Sequence, residues 1–339
     1  MRSTCFGPKC ADRPKNKSKR PREDAAEAAK SVSERPLCQK EANTPKETKK
    51  KVRLQFANNH GDKDLRFWRH VLCNTGIGKR TAVDLAKRGA RVIMACRSRE
   101  RGEAAIAGLR YQIVLNPGPG CGGTSGSSDV VFMPLDLASL KSVRSFAENF
   151  LKSESRLDIL INNAGQISVQ YKTVHYNFTN LMRCSAPSRV VTVSSVAHNF
   201  GHIDFDCLNK HKTLGLGSTM NKYSASKLCN VLFTHELNKR LQGTNVSCFS
   251  LHPGAISSEF DRNVNRTLVM LITPLSLFFF KTPEQGCQTT LHCALQPGLE
   301  PLSGRYFSNC TVRNLFAKAR DDAAAKKLWE LSESMSGLQ

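Results

Sequence analysis

The chain has 339 residues, enough for one large α/β domain or two small ones. It carries 50 Lys+Arg against 28 Asp+Glu, a net charge of +22, and 13 scattered cysteines without Cys-x-x-Cys or zinc-type Cys/His spacing. That pattern excludes a zinc-organised module, gives no reason to expect any metal ligand, and suits a reducing compartment.

In chain order, residues 1–66 come first and hold much of the basic excess, including Arg13-Pro-Lys-Asn-Lys-Ser-Lys-Arg-Pro-Arg22 and Lys46-Glu-Thr-Lys-Lys-Lys51. The segment is poor in apolar residues and has no periodicity. It cannot bury enough surface to offset its ordering entropy, so a disordered basic tail is expected. A nucleic-acid or nuclear-localisation arm is the competing reading. No aromatic residues interleave with the basic clusters, so no specific nucleic acid is expected. The N-terminus has no apolar signal-peptide core.

Residues 67–339 read as a single domain. Asn74-Thr75-Gly76-Ile77-Gly78-Lys79 opens a helix over Ile77–Arg88, and the apolar run Arg91–Cys96 is a buried strand. Helices follow over Ser98–Arg110, Leu140–Lys152, Asn221–Leu241 and Pro283–Leu295. Strands follow at Val130–Leu135, Leu157–Asn162, Arg189–Ser194 and Asn245–Ser250. Strands that are apolar throughout are covered on both faces, so the alternation predicts an α/β fold with a doubly wound parallel sheet. The Gly/Pro-rich stretch 116–128 has no strand before it and no helix after it, so it is a loop and not a phosphate cradle. The apolar run Leu268–Phe280 is too short to span a bilayer and is broken by Pro274.

The most informative pair is Tyr223 and Lys227, one helical turn apart on one face. A free phenol, with a pKa of about 10, handles protons poorly near neutrality. A neighbouring ammonium favours the phenolate and brings the group into working range. A hydroxyl from Ser194-Ser195, at the end of the strand 189–194, would hold a substrate oxygen. Other candidates sit at strand ends, where an open α/β sheet takes its ligand. Gly76 and Gly78 let backbone N–H groups approach a pyrophosphate. Arg97 closes the second strand, where a cation favours a ribose 2′-phosphate. Asp136 follows the third strand, Asn162-Asn163-Ala164-Gly165 ends the fourth, and His252-Pro253-Gly254 ends the sixth. His252 itself reads as a satisfied loop histidine.

Taken together, Gly76-Ile-Gly78, Ala95-Cys-Arg97, Leu135-Asp-Leu137, Asn162-Asn-Ala-Gly165, Ser185–Ser195, Tyr223…Lys227-Leu-Cys-Asn230 and Leu251-His-Pro-Gly254 resemble the short-chain dehydrogenase/reductase family, in its retinol-dehydrogenase-like branch. The resemblance covers about residues 74–339 and implies a Rossmann fold. It implies Tyr223 as general acid or base, Lys227 as its tuner and a nicotinamide-ribose contact, and Ser195, the second of the pair, as the group polarising the substrate oxygen. It places Gly76, Ile77, Gly78, Arg97, Asp136, Asn162, Asn163, Ala164, Gly165, Pro253 and Gly254 along the cofactor. NADP(H) is the preferred cofactor and NAD(H) the alternative. The run at 268–280 falls in the family's substrate-covering region, near 256–282. A lipophilic alcohol/aldehyde or ketone pair, retinoid-like, is therefore expected, with contact to a membrane surface as a further option. The compartment is left between the cytoplasm and the cytoplasmic face of an endoplasmic-reticulum-type membrane.

Two departures stand against the family pattern. Leu72 occupies the first glycine position and Val71 the threonine before it, so the first strand is degraded. Residues 66–73 would fill its slot imperfectly, or Val52–Phe56 would be recruited. Losing a central strand would orphan several backbone groups at ~1–3 kcal/mol each, against a total stability of ~5–15 kcal/mol. The segment from Gly165 to Arg189 is also shortened and leaves helix only over Val174–Asn180. Asn177 is the stand-in there for the family's catalytic asparagine. That helix normally supports self-association, so homo-oligomer formation is left open. The alternative reading is an inactive dehydrogenase-like scaffold from an altered isoform or gene model.

Overall fold

The structure, a computed structural model, describes residues 69–72, 76–117, 129–164, 171–206, 216–255 and 281–337. The basic tail expected over 1–66, the candidate strand Val52–Phe56 and the greater part of the apolar region 256–282 lie outside these residues.

The elements run in strict alternation: β1 (Arg69–Leu72), α1 (Gly76–Lys87), β2 (Arg91–Cys96), α2 (Arg99–Leu115), β3 (Val130–Pro134), α3 (Leu140–Ser153) and β4 (Ile159–Asn162). Then come α4 (Tyr171–Cys184), β5 (Ser188–Val193), a 3₁₀ turn (Val196–Phe200), α5 (Leu216–Arg240), β6 (Val246–His252), α6 (Pro283–Leu295), β7 (Tyr306–Ser308), β8 (Thr311–Arg313) and α7 (Asp322–Ser336). The strands form one sheet in the order β3-β2-β1-β4-β5-β6-β7-β8. Every pair is parallel except β7 with β8.

Side-chain alternation along each strand divides the core between the two faces of the sheet. Val92 and Met94 of β2, Ile159 and Ile161 of β4, and Phe249 and Leu251 of β6 pack with Leu85, Leu109 and Leu291 from α1, α2 and α6. Ile93, Leu160, Val190 and Cys248 face the other way, onto Phe146 and Phe150 of α3, Phe178 of α4 and Leu237 of α5. The doubly wound arrangement expected from the apolar strands is therefore the observed one.

Both departures from the family pattern resolve into specific geometry. β1 exists: His70 aligns with Val92 and Ile159, and Val71 with Ile93 and Leu160. Residues 69–72 thus fill the central slot, although the register with β4 covers only those two positions. α4 is longer than the remnant Val174–Asn180, spanning Tyr171–Cys184. It is anchored by the fully buried Phe178, whose ring lies 4.8 Å from Phe150 and 6.0 Å from Phe146, edge-on to the latter.

Several boundaries moved. β4 starts at Ile159, not Leu157, α5 starts at Leu216, not Asn221, and β6 continues to His252. Sequence patterning misses β7, β8 and α7. Three-residue strands are too short to display a period, and α7 buries a stripe that includes Ser332 and Ser336.

Candidate active site

The sheet changes its direction of winding between β1 and β4. A crevice at the carboxyl ends of the strands beside such a switch point is where open α/β sheets take ligands. On the β1 side, Gly76 starts α1 with φ +55°, and a Cβ added there would meet nothing within 4 Å. Gly78 is buried and Ile77 half-buried. Positive φ and open space let backbone N–H groups approach an anion closely. Residues 73–75 lie outside the described residues. Arg97 follows β2 and is exposed. Asp136 follows β3, where its carboxylate accepts the Ala138 N–H at 3.0 Å and its own N–H donates to the Ser142 hydroxyl at 2.9 Å.

Asn162, buried at the end of β4, donates through Nδ2 to Thr192 Oγ1 on β5 at 3.4 Å. It thereby ties two strand ends together. The next residue is the informative one: Asn163 Oδ1 is buried without a hydrogen-bond partner among the described residues. Ala164 is half-buried, and Gly165 lies outside the described residues. At the end of β6, Pro253 is buried and Gly254 has φ +105°. A Cβ on Gly254 would sit 2.6 Å from Lys281 Cδ. A buried orphan acceptor at Asn163 and the open backbone at Gly76, both at the carboxyl end of the sheet, fit a hydroxyl-bearing dinucleotide lying across them.

The opposite lip is built by β5 and α5. Val193 carbonyl oxygen accepts from Lys227 Nζ at 3.2 Å and from Asn230 Nδ2 at 3.1 Å. Ser194 is committed to structure: its N–H donates to Leu251 O at 2.7 Å and its hydroxyl to Lys227 O at 2.7 Å. Ser195 is half-buried, and its Oγ accepts the Ala197 N–H at 3.2 Å, a role that leaves the hydroxyl proton to donate.

Tyr223 is half-buried one turn before Lys227, whose Nζ lies 5.7 Å from the tyrosine ring centre. Lys227 is only 4% exposed, and burial pushes its pKa down to about 8. At pH 7 that leaves about ten charged for each neutral side chain, so the cation persists. Behind this pair, Tyr306 of β7 is buried. Its phenol is pushed well above the ordinary range, first by burial and then by Tyr223.

Of the residues read from sequence, Ser195 thus caps the 3₁₀ turn after β5, and Tyr223 and Lys227 lie on the adjoining helix α5. The Asn177 backbone belongs to α4, but its side chain lies outside the described residues. One expectation is overturned: His252 is the last residue of a strand, and its buried Nδ1 has no partner among the described residues. Burial, Lys281 and His198 together push it down to about 4. Asn230 lay within a stretch that carries the family resemblance without a role of its own, and Tyr306 was not singled out. His198, three residues past Ser195, was not singled out. Among the described residues, no group of three His, Cys, Asp or Glu is placed to hold a metal, and no helix is long and apolar enough to cross a membrane.

Sheet order and the crevice at its switch point define a doubly wound, Rossmann-type α/β fold, and a family model described as short chain dehydrogenase matches residues 73–268. The chain belongs to the short-chain dehydrogenases and is an oxidoreductase that takes a nicotinamide cofactor. It is 49% identical over 282 residues to Dehydrogenase/reductase SDR family member 13 of Bos taurus, covering 78% of this chain and 71% of that protein. It is 41% identical over 314 residues to Retinol dehydrogenase 14 of Homo sapiens, covering 84% and 91%. Among solved structures, an uncharacterized protein from Mycobacterium paratuberculosis shares 30% identity at a TM-score of 0.57, covering 80% of this chain and 93% of that one. The Pseudomonas aeruginosa RhlG/NADP complex, at 20% identity, a TM-score of 0.56 and coverage of 72% and 96%, matches in fold.

Proposed function

We propose that this chain is an NADP(H)-dependent oxidoreductase acting on a lipophilic alcohol/aldehyde or ketone pair, with retinoid-like molecules as the substrate class. The observation that carries the reading is the buried Lys227 ammonium, held on the Val193 carbonyl one turn from Tyr223 and beside the Ser195 strand end. A bound nicotinamide supplies the hydride chemistry. Ser195 donates to the substrate oxygen. Tyr223 gives that oxygen its proton in reduction and takes it in oxidation. Lys227 favours the phenolate through its charge.

Three features support the finer statements. Arg97 is an exposed cation at the end of β2, suited to a 2′-phosphate. Val196, Phe200 and Met220 are 50%, 78% and 55% exposed. Val196 and Phe200 follow Ser195 in the 3₁₀ turn, and Met220 precedes Tyr223 by about one helical turn, so exposed apolar side chains lie close in sequence to the reacting groups. A relative of 41% identity is named a retinol dehydrogenase.

The test is NADPH-dependent reduction of all-trans-retinal and medium-chain aldehydes, comparing the native chain with Tyr223→Phe. The variant should lose about 10²- to 10⁴-fold in kcat, and equal rates would end the assignment. Calorimetry with NADPH and NADH tests the cofactor: Arg97→Asp should weaken NADPH by at least about tenfold while sparing NADH. An inactive scaffold is the second reading, favoured by the two-position register between β1 and β4. Absence of binding of both NADPH and NADH at millimolar concentration would select it.

A further inference from the structure

We infer that His198 is the positioning residue for Ser195: its imidazole holds the Ser195 main-chain carbonyl and so aims the serine hydroxyl at the reaction crevice. The role rests on the functional reading above for its catalytic consequence, but not for its geometry.

His198 Nδ1 lies 2.6 Å from the Ser195 carbonyl oxygen, and the His198 backbone N–H donates to that same oxygen at 3.1 Å. A carbonyl only accepts, so Nδ1 must carry a ring proton; burial lowers the pKa of the ring and favours its neutral form, which leaves the lone pair on Nε2. Both acceptor sites of the Ser195 carbonyl are then occupied by one residue. With Oγ accepting from Ala197 N–H, the serine is fixed at its peptide plane and at its hydroxyl oxygen. Its backbone is extended, at φ −156° and ψ 158°.

The clamp is itself anchored from several directions. The His198 ring is 2% exposed and packs on Tyr306 of β7 with ring centres 4.8 Å apart. The far end of the turn is tied down where Gly201 N–H donates to His198 O at 3.1 Å and Lys318 Nζ donates to Gly201 O at 3.0 Å. A Cβ at Gly201 would meet the Ser224 carbonyl oxygen at 2.5 Å, so the turn lies directly on α5 beside Tyr223. The Ser195 turn is thus locked to the helix that carries Tyr223 and Lys227.

An ordinary packed histidine does not account for one fact. Its Nε2 is buried without a partner among the described residues, an arrangement that costs about 1–3 kcal/mol. A phenylalanine would fill the same space without that penalty. What the imidazole adds over a hydrocarbon ring is the Nδ1–H, and that proton is directed at Ser195. Placement errors of about 1 Å at a reacting group cost on the order of 10²-fold, so a group that fixes a polarising hydroxyl has a measurable effect.

The experiment crosses His198→Phe and His198→Asn with Ser195→Ala, with kcat and KM read for NADPH-dependent reduction of all-trans-retinal. His198→Phe should lower kcat by about 30-fold and leave KM within about twofold; His198→Asn, which keeps an N–H donor, should recover most of the loss. In the Ser195→Ala background, His198→Phe should change kcat by less than about twofold, because nothing remains to be aimed. Equal losses in both backgrounds would overturn the inference. A second measurement needs no turnover: long-range ¹⁵N–¹H spectra of histidine-labelled native chain at pH 7, assigned by loss of the signal in His198→Asn. An Nδ1–H ring with unprotonated Nε2 supports the clamp, and an Nε2–H or averaged ring overturns it. If the native chain proves inactive, the functional reading fails, and the ring spectrum alone decides the clamp.

Discussion

Lys227 combines a functional charge with a structural penalty. The folded chain holds its pKa near 8, below the ordinary lysine value of 10.5, because the ammonium is desolvated. Between pH 8 and 10.5 the unfolded chain therefore binds more protons than the folded one, and stability from this group rises with pH across that window. Below pH 8 the full penalty is present. Lys227→Met should accordingly raise stability at pH 7 by about 1–3 kcal/mol while abolishing turnover, with the Val193 carbonyl still served by Asn230. The stabilising advantage should disappear above about pH 10.5 in urea titrations, and a variant less stable than native at pH 7 would refute the desolvation account. Tyr223 and Lys227 were legible in the sequence because a spacing of four residues on a helix fixes their shared face. The Val193 carbonyl that holds the ammonium was not, because it belongs to a strand thirty-four residues away.

At the scale of elements, the site depends on how the 3₁₀ turn Val196–Phe200 is pressed onto α5. Gly201 ends that turn with φ −67°, so backbone strain does not demand glycine; space does. Gly201→Ala would drive a methyl group into the Ser224 carbonyl oxygen, a backbone atom that cannot rotate away. We expect a stability loss of about 1–3 kcal/mol and a lower kcat, because the turn carries Ser195 and the helix carries Tyr223. Thermal unfolding unchanged from native would show that the turn yields at no cost. The elements themselves were legible where length and period agree: α6 and β2 fall on the boundaries read from sequence. β1 was harder to read, because Arg69-His-Val-Leu72 has neither a continuous apolar run nor an alternation long enough to register. Its partners β2 and β4 supply what the strand's own sequence does not, through backbone pairing that ignores side-chain identity.

For the whole molecule, buried histidines are expected to contribute to the loss of stability in acid. His252 is held near 4, below the ordinary 6.5, first by burial and then by Lys281 and His198; His198 is lowered too, by burial and then Lys318, against the raising pull of the Ser195 carbonyl. At His252 the unfolded chain takes up a proton between pH 6.5 and 4 that the folded chain refuses, and His198 acts in the same direction. Stability from these groups is fully present above pH 6.5 and is lost as pH falls through that window. His252→Gln should flatten the decline between pH 7 and pH 5 by about 2 kcal/mol in chemical denaturation, and an unaltered slope would place the acid sensitivity elsewhere. The sequence by itself determined the family, the alternating elements, the two-faced sheet and the Tyr-Lys pair, because these follow from local period and from motifs whose spacing is fixed along the chain. Only the tertiary structure decided which serine hydroxyl is committed to Lys227 O, that residues 69–72 complete the sheet, and that His198 bonds back to Ser195. Those outcomes rest on contacts between elements distant in sequence or on the exact folding of one short turn, neither of which leaves a periodic trace in the chain.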